Sequence, residues 1–256
     1  MKEKINLKLL FQDKKNAAMF IGGICILVTV LSFILTDIIT YDHSETLKKS
    51  EPTFKLIFKS ISTVIYFTYL SNLFLGSAML GSAIAQNRKS REAYFISVLL
   101  ITITFLIYWS LIAFQTNWKQ VYNATTSLIT HCIVPIFGFV MLFLIRKDIT
   151  VTKNSLFISS GIVFTYFFFA LIIYFATYGN FKGIERGYVI YSFLDFKFPF
   201  YYKGGNLIVV ILLDLLAFLI GATVPVGLFY FWLFVTKIKY QKSKCILKRF
   251  SRKKIK

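Results

Sequence analysis

Apolar residues along this chain gather into six long runs, at about 17–36, 61–85, 93–114, 123–145, 156–178 and 206–236, with the charged residues concentrated between them. Each run is near or above the ~20 residues needed to cross a hydrocarbon core. None alternates like a lipid-facing strand, and backbone in lipid must satisfy its own hydrogen bonds, so the pattern predicts six transmembrane helices. The fold class expected is therefore all-α: a polytopic bundle over residues 1–236, followed by a basic tail over 237–256. The first run is too long for a signal-peptide core, lacks a small-x-small cleavage pattern and is followed by Asp37, so it is expected to be retained.

Two runs carry polar interruptions. Tyr66-Phe67-Thr68-Tyr69-Leu70-Ser71-Asn72 lies in the second, and Thr130-His131-Cys132-Ile133-Val134-Pro135 in the fourth. An unpaired polar side chain is costly at such a position, which marks both for a role. Pro135 adds a local consequence, because proline has no N–H for the carbonyl four residues earlier, and that carbonyl belongs to His131. Pro225 interrupts the sixth run in the same way. In the second run, Gly76, Ser77, Ala78, Gly81 and Ser82 provide small-xxx-small pairs, Ser77 with Gly81 and Ala78 with Ser82, that predict a close helix contact.

Composition confirms the class and removes others. Hydrophobic residues make up 57% and charged residues 16%, whereas a soluble domain has about a quarter charged. The net charge of +19 does not indicate nucleic acid, since no soluble basic domain remains once the runs are removed. It reads as topology: 21 Lys and Arg fall in the N-terminal stretch, the 2/3 and 4/5 connections and the tail, against 9 in the other connections. The positive-inside rule then places both termini in the cytoplasm. The tail is expected to meet anionic head groups. Cys25 and Cys132 lie within runs and Cys245 in the tail, which predicts no disulfide, and His43 and His131 are too far apart in the chain for a metal site. No cofactor is expected.

Depth brings three polar groups into one layer. Thr68, His131 and Asp214 each lie seven or eight residues inside the boundary of an inward-running span, which is ~10–12 Å below it at 1.5 Å per residue. A hydroxyl, an imidazole and a carboxylate are the inventory of a nucleophile, its general base and the group that orients the base. Each also has an ordinary role: Thr68 can bond to the preceding turn, Asn72 can bridge helices, and Asp214 can be a buried carboxyl hydrogen-bonded to a neighbour. The oxyanion donors are not identified by sequence, with Asn72 and Ser71 as candidates. The 5/6 connection, about 179–205, holds nine aromatic residues between Phe181 and Tyr202. Aromatic side chains favour the interface, so this segment is expected to fold over the external mouth, either capping a lipid-entry pocket or serving as an interfacial anchor with no gating role, with Glu185 and Arg186 solvated.

Phe67-Thr68-Tyr69-Leu70-Ser71-Asn72, His131 with Pro135 four residues later, and Tyr191-Ser192-Phe193-Leu194-Asp195 resemble the bacterial predicted six-transmembrane family, which is similar in turn to the androgen-induced group of eukaryotic membrane hydrolases. The chain departs from that family's Tyr-Pro-Phe at Tyr191-Ser192-Phe193. The resemblance implies hydrolysis of fatty-acid esters by an intramembrane threonine and histidine, which correspond to Thr68 and His131. Asp214 has no counterpart in the motif. The expected function is thus a membrane-embedded hydrolase of lipid-like esters. Its partners would be membrane lipids and its location a bacterial plasma membrane, the latter from an AT-rich residue usage. The alternatives are a small-solute or proton-coupled transporter, or a scaffold without catalysis.

Overall fold

A computed structural model describes residues 11–44, 52–180 and 185–241. Among them are six helices long and apolar enough to span a bilayer: α1 (Lys14–Ile39), α2 (Lys55–Ala85), α3 (Arg88–Gln115), α4 (Val121–Asp148), α5 (Lys153–Ala176) and α6 (Leu207–Thr236). These are the six predicted runs, with ends that differ from the prediction by at most six residues. The helix starts follow from capping. Asp13 accepts from the Lys15 N–H before α1, Asn87 and Ser90 exchange bonds at the start of α3, Thr152 and Ser155 do so at α5, and Asn206 accepts from Ile208 and Val209 at α6. Each cap satisfies N–H groups that a helix leaves open at its first turn.

The core lies among α1, α2, α3 and α4, with α3 the most enclosed helix. α1 and α2 pack most closely where glycine meets glycine: a Cβ on Gly23 would stand 2.9 Å from the carbonyl oxygen of Gly76. The expected seam through Ser77 and Gly81 is not used. Ser77 is exposed and nothing approaches Gly81, while Ala78 and Ser82 are buried one position round the helix. α5 and α6 form an outer pair. α6 is attached to the core near its end, where Phe229 is fully buried and the Trp232 indole donates to Thr102 (3.0 Å).

Two short strands, not foreseen in an all-α reading, join the ends of distant spans. β1 (Thr150–Thr152) pairs in parallel with β2 (Lys239–Gln241), matching Val151 to Tyr240. A two-stranded sheet is marginal alone, but Ile149, Val151 and Ile238 are buried in the main core. The rest of the basic tail, residues 242–256, lies outside the described residues.

At the opposite face, the face expected to be external, the 5/6 connection is tied to the start of α2. The N–H of Phe54 donates to the Val189 carbonyl (3.1 Å) and the Val189 N–H to the Pro52 carbonyl (3.3 Å). Phe54, Ala170, Ile173 and Ile190 form a second, smaller core under it. Arg186, expected in solvent, is instead mostly buried against the Asp195 carboxylate, which is itself 1% exposed. A carboxylate enclosed by a folded loop requires a partner, and Arg186 is the cation the loop supplies. Its guanidinium also lies over the Phe198 ring, 5.2 Å from the centroid.

Candidate functional site

Helix α2 is interrupted just before Thr68. Its short first turns end at Tyr66, whose backbone is extended (φ −60°, ψ 133°), and the regular helix resumes over Phe67–Ala85. A break at membrane depth leaves peptide groups without helical partners. Tyr166 on α5 meets two of them with one hydroxyl, which donates to the Ile65 carbonyl (3.1 Å) and accepts from the Phe67 N–H (3.1 Å). Thr68 therefore lies in the first turn of a helix that begins inside the bundle, and it is 9% exposed.

His131 occupies a second irregularity. Residues Ile129–Ile133 form a π-turn in α4, and Tyr108–Ile112 form another in α3. Such bulges widen a helix and re-aim its side chains. The two bulges face each other, for the Tyr108 ring lies parallel to the imidazole at 3.7 Å between centroids and 6° between planes. The His131 carbonyl, which Pro135 leaves without a helical donor, accepts from the Trp109 indole N–H (2.9 Å). The imidazole itself is 8% exposed, and its Nδ1 has no hydrogen-bond partner among the described residues.

Asn72 joins the two irregular segments. Its amide nitrogen donates to the Thr68 carbonyl (2.8 Å) and across to the Thr130 carbonyl (3.2 Å), beside His131. Ser71 also donates to the Thr68 carbonyl (3.0 Å) and shares a bond with the Thr104 hydroxyl on α3 (2.7 Å). Both side chains are thus engaged in holding α2 against α3 and α4. Among the described residues no hydrogen bond joins the Thr68 hydroxyl to His131.

Asp214 is not brought to His131. It lies one turn nearer the loop face than the stretch of α6 that reaches the site, and the acid acting on it is Asp195. Depth counted from the sequence grouped it with Thr68 and His131, but depth says nothing about direction around a helix that packs at the edge of the bundle.

Thr68 and His131 stand on a wall shared by two spaces. One is a cavity of about 140 Å³ with almost wholly apolar walls, where Ile103 and Ile107 of α3 face Phe167 of α5 and Ile220 of α6. The other, of about 300 Å³, is more polar and includes Gln115, Thr116, Thr126 and Ser127. It adjoins a larger polar vestibule of about 740 Å³ toward the loop face, with Tyr66 and Tyr69 common to both.

Tyr191 of the 5/6 connection stands in the shared wall as well. Its phenol faces the Thr68 hydroxyl, the N–H groups of Phe67 and Thr68, and Tyr166. Burial pushes this phenol above its ordinary range, with the Thr68 hydroxyl the largest opposing influence. The loop is held over the cavity by the Tyr201 hydroxyl, which donates to the Leu111 carbonyl on α3 (2.8 Å). Sequence reasoning quoted Tyr191 in a motif without giving it a role, and it passed over Tyr108, Trp109 and Tyr166. Their signal was available: a tyrosine or tryptophan inside a membrane run carries a polar edge that needs a partner.

Comparison with family models, curated proteins and solved structures yields no match. The likeness to the six-transmembrane family rests on the residues quoted above. What the six apolar helices support is an integral membrane protein of the multi-pass type.

Proposed function

We propose that this protein is an intramembrane hydrolase of fatty-acyl esters in which Thr68 is the nucleophile and His131 the general base. The observation that carries the reading is the shared wall: both side chains border an apolar cavity suited to an acyl chain and a polar space suited to water. Ester hydrolysis in a membrane needs both at one point.

In this scheme the imidazole takes the Thr68 proton as the hydroxyl oxygen attacks the ester carbonyl carbon. The imidazolium returns that proton to the departing alkoxide, leaving an acyl-threonine and an alcohol. Water from the polar side gives a proton to His131 and attacks the acyl carbon. The fatty acid leaves and Thr68 recovers its proton. Asn72 and Ser71 are occupied elsewhere and the Phe67 N–H is held by Tyr166, so an oxyanion donor is better sought in the Thr68 N–H at the helix start, beside the phenol of Tyr191. The Thr68 hydroxyl faces that phenol, and it would turn toward His131 as substrate displaces Tyr191, since catalytic hydrogen bonds often tighten only with substrate bound.

The test is hydrolysis of acyl esters by purified protein. Thr68→Ala and His131→Ala are each expected to lower turnover by roughly 10³-fold or more, because members of such a unit fail singly. Turnover retained in both variants would end the proposal. A transporter is the second reading, favoured by a helix that breaks beside a buried histidine, as at substrate sites of carriers. Proton-coupled flux into proteoliposomes that disappears in Asp214→Asn would support it. We further propose that the loop face points outward, on the distribution of Lys and Arg, and that the membrane is a plasma membrane, on residue usage alone.

A further inference from the structure

The vestibule outside the catalytic wall has a chemistry of its own. Asp37, near the end of α1, accepts from Tyr122 on one carboxylate oxygen (2.8 Å) and from Thr63 (3.1 Å) and Tyr69 (3.4 Å) on the other. Three hydroxyls from α2 and α4 thus fix its position, and among the described residues no cation lies within ion-pair distance of it. A carboxylate so placed in a membrane span marks a binding site by default. Four tyrosines, Tyr41, Tyr66, Tyr69 and Tyr122, line the same space. One of these rings already receives a cation, for the Lys55 ammonium lies 5.8 Å from the centroid of Tyr66. Among the described residues, the charged side chains lining the space are Asp37, Asp42 and Lys55.

We propose that this vestibule binds a quaternary ammonium group. Hydrogen bonds from three hydroxyls fill most of the acceptor capacity of Asp37, so what it offers a ligand is charge rather than lone pairs. A quaternary ammonium has no N–H to place and is recognised by charge together with aromatic faces. An anionic head group would meet the Asp37 charge unshielded, and a neutral polyol would gain nothing from it. The vestibule adjoins the polar space that Thr68 and His131 border, so the inference extends the hydrolase reading to the head group of its ester; binding is measured without turnover, and the two can therefore fail separately.

The experiment is equilibrium binding of lysolipids with one acyl chain and different heads to the full chain in detergent. The choline-headed lysolipid is expected to bind about tenfold more tightly than the glycerol-headed one. That preference should vanish in Asp37→Asn, with thermal melting used to verify the fold. Because Asp37 also joins three helices, Tyr41→Leu serves as the second variant; it removes a lining ring outside that junction and should at least halve the preference. Free choline is the remaining arm. Binding equal to that of the lysolipid identifies a soluble cation as the ligand, and much weaker binding identifies a lipid head, either of which supports the site. No head-group preference in the unmodified protein, or a preference unchanged in a folded Asp37→Asn and in Tyr41→Leu, would overturn it.

Discussion

His131 serves two purposes that are separable by mutation. Its carbonyl is a structural acceptor for Trp109, while its ring, stacked on Tyr108, keeps a nitrogen with no partner among the described residues. Trp109→Phe keeps an aromatic ring but removes the donor, leaving that carbonyl unpaired at a cost of about 1–3 kcal/mol beyond the stacking area lost against Tyr108 and Trp118. The expected result is a lower thermal midpoint in detergent; an unchanged midpoint would show that another donor takes over. Tyr166→Phe should be more damaging, because one hydroxyl satisfies both peptide groups at the break in α2. Amide exchange at Phe67 is expected to accelerate in that variant. At this scale the sequence was partly legible. A histidine four residues before a proline in an apolar run announced both the ring and the freed carbonyl, but the identity of the donor depends on which residue of α3 lies opposite, and no local pattern encodes that.

The helices follow the apolar runs closely because each run must bury or lipidate every side chain along ~30 Å, which leaves little freedom in where a span begins and ends. Their irregularities were less accessible. The break at Tyr66 and the π-turns at Tyr108–Ile112 and Ile129–Ile133 involve residues that are ordinary in regular helices, and they persist because partners from neighbouring helices satisfy the displaced groups. The small-residue row shows the same limit: of the two predicted pairs Ala78 and Ser82 are buried, whereas Ser77 and Gly81 lie one position, a 100° rotation, from the contact at Gly76. Coupling between irregularities can be measured. Pro135→Ala restores an N–H for the His131 carbonyl, so Trp109→Phe should cost less in that background. A double-mutant cycle is expected to give a coupling of about 0.5–3 kcal/mol, and strict additivity would show that the proline and the indole act independently.

Across the whole molecule, the bundle is closed at the loop face by a folded segment with its own buried ion pair. Arg186→Leu strands the Asp195 charge, and losing one member of such a pair costs about 3–5 kcal/mol, here confined to the loop. Limited proteolysis between residues 185 and 205 should rise sharply while the melting of the six helices changes little; unaltered protease resistance would mean the ion pair is dispensable. Sidedness is tested by labelling intact cells with an impermeant maleimide, which is expected to modify Asn117→Cys directly and Lys147→Cys only after permeabilisation. The long aromatic connection was legible as a cover because its composition suits the interface, whereas the Arg186 and Asp195 pairing, nine residues apart in an irregular segment, was not. The parallel match of β1 with β2 has a mechanical consequence. The chain leaving the span that holds His131 is fastened to the chain leaving α6, so the outer pair of helices is clamped at that end like the spine of a book. A widening of the apolar cavity is therefore expected to fan open from the other end, where Tyr191 and the aromatic loop form the clasp.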